Sequence, residues 1–117
     1  MLDFSNSKIL IVGDVMLDKY YFGQVDRISP EAPVPIVNIQ KEESRLGGAS
    51  NVANNIVSLG GHSLLCGVIG HDLFGKEIER ISRHKNIDTF LLKTSSPTIT
   101  KARIIGGKQQ IVRVDYE

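Results

Sequence analysis

The chain has 117 residues, 14 basic and 13 acidic, for a formal net charge of +1, and 41% of it is hydrophobic. That length suits one small domain, and so even a charge balance gives no grounds for a nucleic-acid or membrane-surface partner. No apolar run approaches the roughly 20 residues that span a bilayer, no basic segment precedes an apolar one as in a secretory signal, and the single cysteine, Cys66, reads as a reduced core residue of a cytoplasmic protein.

Lys8-Ile9-Leu10-Ile11-Val12 is a short continuous apolar run, the pattern of a strand buried on both faces. Gly13 ends it, and Asp14 stands at the carboxyl end, the edge where open α/β sheets take their ligands. There a carboxylate can accept from two hydroxyls, or simply close a turn. Residues 19–33 hold three aromatics, and Pro30, Pro33 and Pro35 keep this region extended. Pro35–Ile39 reads as an exposed or edge strand; Asp18, before it, reads as an exposed or capping residue.

Gly47 and Gly48 carry no Cβ, so their backbone can come close to a ligand. A helix over Asn51–Leu59 follows, turning its free N–H groups and positive dipole end to the same spot. Asn51, at the junction, can both donate and accept. Val52, Ile56 and Leu59 fall on one stripe that is expected to be buried, and Gly60-Gly61 ends the helix. Leu64–Ile69 is a second buried strand. Asp72 caps a second helix, on which Phe74, Ile78 and Ile81 repeat the helical spacing. Asp88–Leu92 is a third strand. Thr98–Ile105 and Gln109–Tyr116 alternate around Gly106-Gly107 as a hairpin. On it Lys101 and Arg103 share a face, with Cα atoms roughly 7 Å apart, a pair of cations that suits a phosphate. Arg113, across the hairpin, could join them. His62, His71 and His84 share no ligand spacing and read as surface residues.

The order β-α-β-α-β predicts an α/β fold, a mostly parallel sheet flanked by helices. Segments of about 19–40 and 98–116 do not fit that layer and are expected to form a small antiparallel β lid over the ligand edge. Such a lid implies the first part of a longer protein. Neither a Gly-x-Gly-x-x-Gly nor a Gly-x-x-x-x-Gly-Lys-Ser/Thr motif is present.

The residues Gly47, Gly48, Ala49, Asn51, Ala53, Gly60 and Gly70, with six positions between Ala53 and Gly60 and nine between Gly60 and Gly70, resemble the N-terminal signature of the ribokinase-like (PfkB) carbohydrate kinases. Val12–Asp18, Arg27–Pro35 and Pro97–Lys101 further resemble the heptose 7-phosphate kinase branch, which in many bacteria is fused to an adenylyltransferase. The resemblance implies a ribokinase-like fold. It also implies phosphoryl transfer from ATP, with Mg²⁺, to C1 of heptose 7-phosphate, giving heptose 1,7-bisphosphate for ADP-heptose and the lipopolysaccharide core. It assigns substrate binding to Asp14, Gly47, Gly48, Asn51, Lys101, Arg103 and Arg113, and more weakly to Arg27. The family's second signature, which carries the catalytic aspartate and anion hole, is absent, so these residues alone are expected to be inactive, to contain no catalytic or metal-binding residue, and to hold neither ATP nor Mg²⁺. A phosphosugar is the expected ligand and a homodimer through the lid the expected assembly. A kinase for another sugar or a nucleoside, and a non-catalytic sugar-binding or dimerising module, remain the alternatives.

Overall fold

A computed structural model describes residues 2–117. The chain runs β1 (Lys8–Val12), β2 (Val15–Ile28), β3 (Pro35–Gly48), α1 (Ala49–Ser58), β4 (His62–Gly70), α2 (Leu73–His84), β5 (Asp88–Thr94), β6 (Thr100–Gly106) and β7 (Gln109–Tyr116). The strands make two sheets. Sheet A is parallel, in the order β1-β4-β5. Sheet B has the order β3-β2-β6-β7, with β2 antiparallel to β3, parallel to β6, and β6 antiparallel to β7.

The β-α-β-α-β core and the hairpin at residues 100–116 match their sequence patterns. The second sheet, expected as a small antiparallel lid, is larger than its residue types suggested and is mixed, since β2 and β6 run parallel. β2 starts at Val15 and runs for 14 residues through Tyr20-Tyr21-Phe22, and β3 runs on to Gly48. These β-favouring aromatics and the 13 paired positions between β2 and β3 hold the long ribbon together.

Helices α1 and α2 cover a single face of sheet A. There Leu65 and Ile69 of β4 join Val15, Leu17, Leu46, Ala53, Ile78, Ile81 and Ile87 in one buried cluster. The opposite face of sheet A is bare. Leu10, Val12, Leu64, Val68, Phe90 and Leu92 share it by register, and Val12 keeps 73% and Phe90 65% of its surface exposed. β1 is therefore not buried on both faces as its composition predicts, and β4 is buried on one face only: two helices supply one covering layer. Cys66, on the bare face beside Leu64 and Val68, is half-buried rather than part of the core.

Helix α1 also departs from its predicted stripe. Val52 and Leu59 are exposed, whereas Ser50 and Ala53 are buried and Val57 packs on the core. Small side chains at those positions let the helix lie close to the sheets, and the Ser50 hydroxyl donates to the Gly47 carbonyl in the turn before. Gly60, at φ 92, and Gly61, whose N–H bonds the Ile56 carbonyl, close the helix as predicted.

Asp72 caps α2 as predicted, accepting from the Gly75 N–H at 2.8 Å. It also accepts from the Thr98 hydroxyl at 2.6 Å and the Thr98 N–H at 2.9 Å, and Thr98 Oγ1 accepts from the Gly70 N–H. This knot ties the loop between β5 and β6 to the start of α2. Partial burial pushes the Asp72 pKa up, but the bonds from Thr98 and Gly75 outweigh it and hold the carboxyl below its usual range.

Candidate functional site

The chain passes between the two sheets three times, from β1 to β2, from β3 through α1 to β4, and from β5 to β6, and the first two passages meet. Gly13-Asp14 leads from β1 into β2, and Gly47-Gly48 leads from β3 into α1. The Asp14 carbonyl accepts from the Ala49 N–H at 2.8 Å, so the two passages are bonded together. Gly48 sits at φ 57, where a Cβ would strike the Asp14 carbonyl oxygen. A Cβ on Gly47 would lie 2.8 Å from Oδ2 of Asp18. Both glycines are needed for close approach, one to a backbone and one to a carboxylate.

Two hollows flank this seam. The larger, of about 750 Å³, lies at the carboxyl edge of sheet A and is lined by Gly13, Asp14, Ile69, Thr94, Pro97 and Lys101 among others. It lies where strand order and direction predict a ligand. The smaller, of about 360 Å³, is lined by Asp18, Ser44, Arg45, Leu46, Asn51, Asn54 and Lys85. Asn51 thus faces the hollow of Asp18, not that of Asp14. Asp14 and Asn51, expected in a single pocket, line different hollows. On the side of α1 that carries Asn51, the carboxylate beside the glycine pair is Asp18.

The outward face of sheet B continues from that hollow. By register, one row across the four strands reads Arg45, Asp18, Lys101, Asp115, and the next reads Glu43, Tyr20, Arg103, Arg113. Arg103 donates to Asp18 at 3.0 Å, with both side chains largely shielded. That bond pushes the Arg103 pKa further up. Asp18 is therefore not the exposed or capping residue its position suggested. Arg113 closes both arms of its guanidinium on Asp115, each at 2.9 Å. Arg45 pairs with Glu43 at 2.9 Å, and Lys41 and Arg45 hold the Glu43 carboxyl below its ordinary range. Lys101 has no carboxylate partner among the described residues. Arg27 lies apart from this cluster, in a hollow near the β2–β3 turn with Asp26 and Asn38.

Asp18 and Arg45 were missed because β2 and β3 were not read as strands through these positions. Alternation along β2, with Met16, Asp18, Tyr20 and Phe22 on one face, is the signal that points to them.

Residues 6–116 match the sequence profile described as pfkB family carbohydrate kinase. The chain belongs to that family. It is 51% identical over 114 residues to a D-beta-D-heptose 7-phosphate kinase of Bordetella bronchiseptica, covering 97% of this chain and 36% of that protein. It is 52% identical over 110 residues to the bifunctional protein HldE of a Nitratiruptor species, covering 94% of this chain and 24% of that protein. The chain thus spans about a third or a quarter of the length of these relatives. A carbohydrate kinase from Agrobacterium tumefaciens has the same fold over 93% of this chain and 35% of its own, with a TM-score of 0.76 at 18% identity. A fructokinase from Xylella fastidiosa, solved with bound ATP, covers 95% of this chain and 33% of its own with a TM-score of 0.64 at 21% identity. The α/β class and ribokinase-like architecture expected from the glycine signature hold.

No group of three metal-ligating side chains occurs among the described residues, and His62, His71 and His84 are exposed and scattered. The glycine pair packs against Asp18 and the Asp14 carbonyl, a carboxylate and a carbonyl dipole that repel an anion. The glycine pair therefore does not form a cradle for a nucleotide phosphate. No helix among the described residues is long and apolar enough to cross a membrane.

Proposed function

We propose that the protein carrying this chain is an ATP-dependent kinase that phosphorylates heptose 7-phosphate at C1, yielding heptose 1,7-bisphosphate, ADP and the hydroxyl proton. The observation that carries this reading is the half-identity to a heptose 7-phosphate kinase along 97% of the chain, joined to a polar seam whose carboxylates and carboxamide suit hydroxyl groups. In this reading the present residues bind and position the sugar. Asp18 and Asn51 take ring hydroxyls, since a carboxylate accepts from hydroxyls and a carboxamide serves both senses. Gly47 and Gly48 bring backbone to the sugar. Asp14 and Lys101, on the wall of the larger hollow, take polar groups toward the reacting end. Arg103 and Arg113 stand on the face that receives the 7-phosphate.

ATP, bound by residues outside this chain with Mg²⁺, would supply the phosphoryl group. The work of sheet B would be to cover the sugar and keep water from competing with its hydroxyl. The 117 residues alone would bind without turnover. Two copies would pair along β7, an edge strand with all eight residues exposed. The need for ATP and the lone free thiol fit a cytoplasmic protein.

The test is release of ADP by the intact protein with heptose 7-phosphate, ribose, fructose and adenosine offered in turn. A higher kcat/KM for heptose 7-phosphate than for any other acceptor is expected. Preference for an unphosphorylated sugar or the nucleoside would replace this reading with the neighbouring kinase class.

A further inference from the structure

We propose that Arg45 and Arg103, brought together on Tyr20 from the two strands flanking β2, form the clamp that takes the substrate's phosphate monoester, and that Tyr20 positions both. This deepens the kinase reading and rests on it for the identity of the sugar.

The geometry is specific. The Arg45 guanidinium lies 4.6 Å and that of Arg103 5.2 Å from the centre of the Tyr20 ring. Their central carbons are therefore at most about 9.8 Å apart, and a phosphate that pairs with both, at about 4 Å from each, needs them to close by no more than about 2 Å. The ring draws each cation by its quadrupole and limits the rotamers of two long side chains before any ligand arrives. Tyr20 in turn is stacked on Phe22 along β2, with centroids 6.1 Å apart, and Lys41 sits over Phe22. The platform is thus two rings long and rooted in the central ribbon of sheet B.

Availability singles out these two among the cations of the face. Arg113 spends its planar fork on Asp115. Lys101 lines the other hollow. Arg103 uses one nitrogen on Asp18 and keeps the rest of its five donors. Arg45 pairs with Glu43 where both meet solvent, and an exposed pair of that kind contributes little, so a phosphate dianion can replace the carboxylate at small cost. Arg45 also lines the hollow of Asp18 and Asn51. A sugar whose hydroxyls occupy that hollow would carry its phosphate arm onto the Tyr20 platform. Asp18 touches both ends of such a ligand, taking hydroxyls and holding Arg103.

Two measurements on the intact protein test the clamp. The first compares KM for heptose 7-phosphate with KM for the unphosphorylated heptose. Arg45→Ala and Arg103→Ala are each expected to raise the first about tenfold or more, the size expected for losing one charge-assisted contact, and the second by less than about twofold. Tyr20→Leu should raise KM for the phosphosugar several-fold with kcat retained, and Tyr20→Phe should restore it. The second follows the Arg45 and Arg103 Nε–H resonances during titration with inorganic phosphate, and needs no turnover. Both should shift together, and Arg45→Ala should weaken the shift at Arg103. If heptose 7-phosphate is not a substrate but phosphate still moves both resonances, the clamp stands and the sugar assignment falls. Resonances that stay in place, or an Arg45→Ala effect equal for phosphorylated and unphosphorylated heptose, would overturn the clamp.

Discussion

Sheet A and sheet B each turn one face toward the helices and the other outward, but the outward faces differ in kind. That of sheet A is a field of Leu10, Val12, Leu64, Val68, Phe90 and Leu92. That of sheet B is a grid of charges set mostly against one another, Arg103 on Asp18, Arg113 on Asp115, Arg45 on Glu43. A parallel strand is apolar on both sides because both are meant to be covered. A mixed sheet can leave one side in water and use it. Composition alone, near neutral overall, hides this division of labour.

The largest expected effect separates the two faces of sheet A. Leu65→Ala, in the covered cluster, should lower unfolding free energy in urea by about 3 kcal/mol, within the range for a leucine cut from a core. Phe90→Ala, on the bare face, should cost less than about 1 kcal/mol because little buried surface is lost. Equal losses would mean that the bare face is covered in solution. Next in size is the knot that ties the β5–β6 loop to the start of α2. Asp72→Ala should cost about 2 kcal/mol, since it removes a helix cap and leaves the Thr98 N–H and hydroxyl without their acceptor. The native carboxyl is held below the ordinary 3.8, so its contribution is present above that value and is lost as pH falls through the lower, native pKa. A urea series from pH 5 to pH 2 should show less acid loss in Asp72→Asn than in the parent.

The remaining two predictions probe the seam between the sheets and the outward face of sheet B. Asp18→Ala should weaken sugar binding about tenfold or more by calorimetry, and Asp14→Ala by less, because Asn51 shares its hollow with Asp18. The reverse order would restore Asp14 as the partner of Asn51. Arg113→Ala should change stability by less than about 0.5 kcal/mol, as expected for a partly exposed pair on an edge strand, and a larger loss would show that the pair braces the sheet.

Much of the fold was legible because its signals are local. The apolar run of β1, the Asp72 cap, Gly60-Gly61 and the Gly-Gly hairpin each act within a few residues. What escaped depends on partners distant in sequence. The buried residues of α1 are Ser50 and Ala53 because the neighbouring strands demand small side chains, a demand that Val52 and Leu59 conceal by being more apolar. Asp18 is paired with Arg103 across 85 positions, a link that no spacing rule reveals. The site signature was readable at the glycines, where backbone geometry dictates the residue. At the carboxylate, strand parity decides which side chain shares a hollow with Asn51, and the sequence pattern did not reveal that Asp18 does.

The bond from the Ala49 N–H to the Asp14 carbonyl fastens the foot of the β2–β3 ribbon, so its two ends meet at a single point. Residues 15–48 are in that sense a loop drawn out into a blade. Related proteins could lengthen or trim its far end, around residues 29–34, without disturbing the helix that begins at its base. Divergence in what the blade reaches over, and so in which molecules are admitted, would then come at little cost to the scaffold below.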